Sequence, residues 1–537
     1  MKILATLKAP FYLKLGFVLV AGLLASCASR SVEQLASAEW VEVRSGNFIV
    51  YSEVGEEAPR RIIEQLETFR AFVIDHMQLE GMDNPLPFRI VLLRNSASLQ
   101  AIVPERGIFG MYQATYQGGL ALVDVSARAE DGTSTLEVIY TPSGPLYRKE
   151  TGMRFVSIDG VLHEYVHHLL ANDTTRRYPL WFNEGYAEYL STFHLGAGGR
   201  AVIGAPPMHR VQALQQARWM PLEVLFRVQG YETAHGYGDL YAQAWAVVHY
   251  MMSTPERAGQ TDTFLDLLAD NQGIEMAFEA AYGMALKDMS AKARSMVRAH
   301  GKRVRSIRVE MDAPVFTVAA GRMLPADEVE TLVADMLMNF PGKNDVARQH
   351  LTRALSLNET NSHARAVLAG LERVSGRYQV AADLLSVSDS LVGESSEILT
   401  QWGHLYIDQA IDAVKLARDT MPPLLAKGRQ YYERALAIDE NNAEALVGLG
   451  RSYLLSGPNN NGRGFTALFK AYDLLPTNME TQLMLGHMYI TSGDIPRARH
   501  HYTEVLRWSR VPDLTRQARS MIEALDSPQE ASSVQSE

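Results

Sequence analysis

The 537-residue chain is predicted to be mostly helical with an α+β part: one mixed domain, then an α-solenoid. Three observations predict this. Strand-like apolar runs cluster before residue 140. A helix with one apolar face (Ile158, Val161, Leu162, Val166, Leu169, Leu170) follows them. From about Val329 onward a Gly/Ala/Tyr pattern recurs at the spacing of helix pairs.

Residues 1–26 read as a targeting segment rather than as structure. Lys2, Lys8 and Lys14 form a basic start, and Leu15–Leu24 is apolar but short for a stable membrane span. The run ends in Leu24-Ala25-Ser26-Cys27, which resembles a bacterial lipobox. That resemblance implies cleavage before Cys27 and lipidation of its thiol. With Ala28 rather than Asp next, it also implies a cell-envelope protein anchored in the outer membrane and facing the periplasm. Cys27 is the chain's only cysteine, so an intramolecular disulfide is excluded. Removing 1–26 takes away three lysines and no acid, leaving 48 basic against 61 acidic side chains, a net charge of −13. This balance argues against a nucleic-acid partner, and it leaves membrane attachment to the lipid alone. No later stretch is apolar enough for a transmembrane helix.

Residues 27–38 are small and polar, a tether. The mixed domain is expected over 39–302. Trp40–Val54 alternates as a strand or hairpin, and Pro59–Met77 has helical spacing through Ile62, Ile63, Leu66, Phe69 and Phe72. Pro87–Leu93 and Gly119–Val125 read as buried strands, and a hairpin-like stretch runs to Tyr140. Pro221–Phe226 and Asp239–Met252 read as helices.

The chemistry lies in Val161–Tyr189. His163-Glu164-Tyr165-Val166-His167 matches H-E-x-x-H. Residues four apart share a helix face, so His163 and His167 can offer two imidazole nitrogens to one metal ion. Glu164 stands beside them as a candidate general base. His168 is turned about 100° away and is not expected to be a ligand. The following segment, Trp181–Glu188, can bring a carboxylate from a second helix. Leu170 and Asp173 exclude the pattern that continues H-x-x-G-x-x-H.

HEYVHH followed by WFNEGYAEY resembles the gluzincin metallopeptidases of the aminopeptidase N and thermolysin type. The resemblance implies a zincin-like fold and a Zn2+ ion held by His163, His167 and Glu184. It also implies Glu164 as general base and Glu188, one turn beyond Glu184, as the carboxylate that orients a ligand histidine. In the aminopeptidase N type a tyrosine at a comparable distance binds the oxyanion, which maps onto Tyr241, 57 residues after Glu184. The usual Lys-Gly is replaced here by Gln243-Ala244, and Tyr231, His235 and Tyr237 are nearby substitutes. Zincin folds also bind a substrate peptide along a sheet edge.

Residues 303–328 read as a linker with some strand character. Over 329–520, Gly342 and Gly376 stand 34 apart, the tetratricopeptide period, with Gly457 and Gly493 at the same place in later units. Gly403/Tyr406, Gly450/Tyr453 and Gly486/Tyr489 mark a second repeated place, with spacings of 47 and 36. The pattern resembles tetratricopeptide repeats, whose groove commonly takes a peptide or protein partner. Residues 521–537 are expected to be a disordered tail. The whole order is similar to bacterial peptidase MA-like proteins, and implies a lipid-anchored zinc metallopeptidase acting on peptides or proteins. The alternative is a non-catalytic periplasmic binding or assembly lipoprotein, with the zincin fold as scaffold.

Overall fold

The structure is a computed structural model. It describes residues 30–526 except 78–83, 105–107, 127–135, 142–143, 150–157, 174–175, 197–199, 229–236, 271, 299–306, 313, 392–393, 414–420, 458–460 and 510. The expected signal, Cys27, and the candidate substitutes Tyr231 and His235 lie outside the described residues. No helix among the described residues is long and apolar enough to cross a membrane.

The first half is built on a six-stranded sheet. Its strands are β1 (Val41–Arg44), β2 (Phe48–Ser52), β3 (Phe88–Leu93), β4 (Gly110–Thr115), β5 (Gly118–Asp124) and β11 (Arg322–Met323), in the order β11-β1-β2-β3-β5-β4. β2, β3 and β5 run parallel, while β4 and β1 are antiparallel to their neighbours. Two smaller sheets hold β6 (Leu136–Thr141) with β7 (Gly144–Lys149), and β8 (His194–Gly196), β9 (Arg200–Ile203) and β10 (Ile307–Glu310).

The continuous apolar run of β3 follows from burial on both faces. Ile90, Leu92, Ala121 and Val123 point to one core, together with Phe69 of helix α2 (Glu57–His76) and Val161 and Tyr165 of helix α4 (Ile158–Asn172). Val91, Leu93, Leu120 and Leu122, one residue out of phase, point to the other. That second core contains helix α3 (Ser96–Ile102) and the first repeat helices. Helix α1 (Val32–Ala36) is closed by a capping box from Ser31 and Gln34, within the stretch expected as a tether.

Helices α5 (Leu180–Leu190), α6 (Met208–Gln216), α7 (Leu222–Leu225), α8 (Tyr237–Met251), α9 (Pro255–Ala269), α10 (Ile274–Tyr282) and α11 (Leu286–Arg298) complete the first half. The repeats follow as helix pairs: α12 (Ala326–Met338) with α13 (Asn344–Leu357), α14 (Ser362–Val374) with α15 (Tyr378–Leu391), α16 (Ser396–Ala413) with α17 (Met421–Ile438), α18 (Ala443–Leu454) with α19 (Asn461–Leu474), and α20 (Met479–Thr491) with α21 (Ile495–Trp508). A last helix, α22 (Pro512–Asp526), covers the end. These are tetratricopeptide-like helical repeats. Gly342, Gly376, Gly457 and Gly493 all have φ between 76° and 83°, each at the turn inside a pair, which explains why glycine recurs there. Asn361, Asn442 and Asn478 recur as N-caps on α14, α18 and α20.

The stretch expected as a linker is tied to the sheet. β11 pairs with β1 and β10 with β9, and the Leu324 amide donates to the Trp40 carbonyl. The repeats also return to the first half. Asn84 donates to the Leu474 carbonyl at 2.7 Å, Tyr116 to Glu480 at 2.9 Å, and Arg177 to the Pro476 carbonyl.

Candidate metal centre

α4 and α5 form a helical hairpin. The apolar face of α4 is sunk in the core, which leaves His163 and His167 on the face turned toward α5. On α5, Trp181, Phe182, Tyr186 and Leu190 are buried, and Glu184 comes to the imidazoles. Glu184 Oε2 lies 3.2 Å from His163 Nε2 and 3.5 Å from His167 Nε2. Bonds of about 2.0–2.1 Å in a tetrahedral zinc site separate ligand atoms by about 3.3–3.4 Å. The three side chains therefore fit the ion by donor type, and Glu184 stands at the fitting distance from each imidazole. Among the described residues they are the cluster of histidine and carboxylate groups able to hold a metal, each ligand atom within 4.8 Å of the others.

Both rings turn Nε2 inward, and a neighbour engages each Nδ1. Asn183 Oδ1 lies 2.5 Å from His167 Nδ1, so that nitrogen donates, which leaves Nε2 as the nitrogen turned to Glu184. Glu188 Oε1 lies 3.6 Å from His163 Nδ1. Glu188 is in turn gripped by Arg210 of α6, Nε to Oε2 at 3.1 Å and Nη2 to Oε1 at 2.5 Å. The same guanidinium lies 5.2 Å from the centre of the Tyr241 ring. Tyr241 sits on α8, its ring 6.0 Å from that of His163.

The electrostatics follow from two buried carboxylates facing two imidazoles. Burial disfavours the charged form of Glu184, but His167 and His163 together hold its carboxyl well below the usual range. Burial likewise works against a charged His167, yet Glu184 raises it to about 9. The site thus demands a cation, and a metal ion entering it displaces a proton. Burial lifts Glu164 above the ordinary carboxylate range, opposed by the two imidazoles. Burial, then the charges of Glu184 and Glu164, push the Tyr241 hydroxyl far upward, so it stays a donor.

Two glycines permit this packing. A Cβ at Gly110 on the edge strand β4 would lie 2.5 Å from Glu164 Oε1, so β4 crosses directly over the carboxylate. A Cβ at Gly185 would lie 2.5 Å from the Ala244 carbonyl, so α5 and α8 cross in contact and Tyr241 is brought to the site. Gln243 and Ala244, which depart from the expected Lys-Gly, serve the packing. Gln243 accepts from the Met220 amide at 2.8 Å and donates to its carbonyl at 2.6 Å, and Ala244 receives Gly185. His168 is buried away from the centre, stacked on Phe88 with ring centres 4.7 Å apart.

Sequence reasoning did not single out Arg210, Gly110 or Gly185. Gly185 stood inside the quoted motif, whereas nothing local marks Arg210, 22 residues from Glu188.

A family model described as a protein of unknown function, DUF1570, matches residues 157–272, the span from α4 to α9. No curated protein matches the chain. Solved structures resemble it only distantly. A thermophilic TPR protein of Thermus thermophilus is 18% identical, covering 37% of this chain and 99% of that one, with a TM-score of 0.33. YrrB, a TPR protein with an unusual peptide-binding site, is 17% identical, covering 36% and 91%, with a TM-score of 0.25. Yeast Tom70 is 16% identical, covering 57% and 65%, with a TM-score of 0.30.

Proposed function

We propose that this chain is a lipid-anchored zinc metallopeptidase of the bacterial envelope, whose repeats recruit a protein substrate or partner. The carrying observation is the meeting of His163, His167 and Glu184, their ligand atoms all within 4.8 Å of one another, with Glu164 beside them. Three ligands and an adjacent acid suit an open, catalytic site better than a closed structural one. Bound there, zinc supplies Lewis acidity toward a carbonyl and lowers the pKa of water. Glu164 takes a proton from the attacking water and returns it to the leaving amine. Tyr241 donates a hydrogen bond from its hydroxyl to the developing oxyanion. Asn183 and the Arg210–Glu188 pair hold the two imidazoles in orientation. β4, an edge strand lying over Glu164, pairs with the extended peptide. The anchor rests on the lipobox at Cys27.

A second reading makes the repeats the working part of a non-catalytic assembly lipoprotein. It is favoured by the half-buried stack of Trp402, Tyr406 and Tyr431, with ring centres 5.5–5.9 Å apart and Lys427 and Arg434 over two of the rings. Metal analysis of the purified chain tests the first reading. About one zinc per chain is expected in wild type, with strong loss in His163→Ala, His167→Ala and Glu184→Ala. Glu188→Gln should weaken affinity by roughly 10–100-fold. Full zinc content in Glu184→Ala would refute this ligand set.

A further inference from the structure

A cavity of about 590 Å³ lies between the C-terminal end of α6 with the residues that follow it and the last turns of α11. Three arginines line it: Arg218, Arg294 and Arg298. Its apolar wall is Leu214, Trp219 and Val297. We infer that this cavity binds a phosphate-bearing anion, its phosphate on the guanidinium groups and its less polar portion against the wall.

The charge is unusual for its surroundings. The chain as a whole carries −10. Yet the two stretches that line the cavity, residues 214–219 and 294–298, hold Arg218, Arg294 and Arg298 and no acidic residue. Most surface arginines here meet a carboxylate, as Arg227 meets Glu275 and Arg322 meets Glu328. Arg218, Arg294 and Arg298 have no carboxylate within ion-pair distance among the described residues, although like charges brought together cost free energy unless an anion lies between them. Arg294 is set in place. Its guanidinium lies 5.3 Å from the centre of the Trp219 ring, and Trp219 is pinned by its own indole N–H to the Leu214 carbonyl at 3.3 Å. The Arg294 Nε is buried without a hydrogen-bond partner.

Arginine suits this ligand because its planar fork pairs bidentately with phosphate oxygens. Three positive charges match a dianion better than a single carboxylate. The volume lies in the range of small-molecule sites, larger than one phosphate requires. Two sources can provide such a group: a soluble phosphate compound, or the headgroup of an anionic phospholipid at the membrane surface. Neither depends on the metal centre.

The test uses the full chain at low salt. Inorganic pyrophosphate is titrated calorimetrically, and co-sedimentation is measured with phosphatidylglycerol vesicles against phosphatidylcholine vesicles. Saturable binding of either phosphate probe is expected, weakening as salt rises. Pyrophosphate binding identifies a soluble compound, and binding to phosphatidylglycerol vesicles alone identifies a headgroup. Arg298→Glu and Arg218→Glu change exposed side chains and should unfold at the wild-type temperature. Each should weaken binding by about tenfold or more, as expected for loss of a charge-assisted hydrogen bond. Arg294→Gln should do the same. Binding of neither probe, or binding unchanged in both charge reversals, would overturn the assignment.

Discussion

His167 and His168 are adjacent and have opposite surroundings. The 100° step of a helix puts His167 against Glu184 and Asn183, and His168 among Phe88, Tyr112 and Tyr165. That division was legible in the sequence, because the apolar positions of α4 show which face is buried. The support of the centre was not. Arg210 reaches Glu188 only through the fold, and no spacing rule links a residue on α6 to one on α5. Burial acts on a histidine elsewhere too. His249 on α8 is buried, and burial lowers its pKa to about 4 from an ordinary 6.5. The unfolded chain therefore binds this proton first as pH falls. Stability is expected to be full above about pH 6.5 and to decline down to about pH 4, by on the order of 3 kcal/mol for this group. His249→Phe should flatten the fall of the unfolding temperature across that window. An identical pH profile for variant and wild type would contradict it.

Elements meet where glycine allows them to. Gly403, Gly450 and Gly486 repeat because a Cβ there would strike Tyr432, Leu468 and Tyr502 of the facing helices at 2.4–2.5 Å. Gly185 does the same for α5 against α8, and so couples Glu184 to Tyr241. Gly185→Val is expected to push these helices apart and to cost about 1–3 kcal/mol by overpacking. Zinc affinity should fall with it. Calorimetric unfolding and metal analysis check both, and unchanged values in the two measurements would show that the crossing does not position the site. The apolar helices and the strands β3 and β5 were readable from periodicity. β4 was not, since Gly-Met-Tyr-Gln-Ala-Thr has no clear alternation and is largely half-buried. Its place over Glu164 is set by pairing with β5, which carries no periodic signal of its own in β4.

At the scale of the whole molecule, the two halves share a core. Val91, Leu93, Leu120 and Leu122 of the sheet pack with Val329, Val333, Leu337 and Leu351 of the first repeat. Sequence placed a boundary at 303–328 because that stretch lacks long periodic runs. The strands inside it are only two and four residues long, too short to be distinguished from a linker. Cutting the chain near residue 320 therefore exposes apolar surface on both pieces. Each piece expressed alone is expected to aggregate or to unfold well below the intact chain, and the two should associate when co-expressed. A fragment from 320 onward that is monomeric and as stable as the whole would show that the shared core is dispensable.

The proposed peptidase chemistry turns on Glu164 as the group that moves protons. Its most direct test is the turnover of a peptide substrate by zinc-loaded wild type and Glu164→Gln at equal zinc content. Glutamine keeps the shape of the side chain and leaves His163 and His167 in place, but its amide cannot accept the proton. Wild type is expected to cleave, and Glu164→Gln to be slower by at least about 10²–10⁴-fold, the contribution of general acid–base catalysis. Equal rates in the two proteins, or no cleavage above background by zinc-loaded wild type across a broad peptide library, would contradict the account.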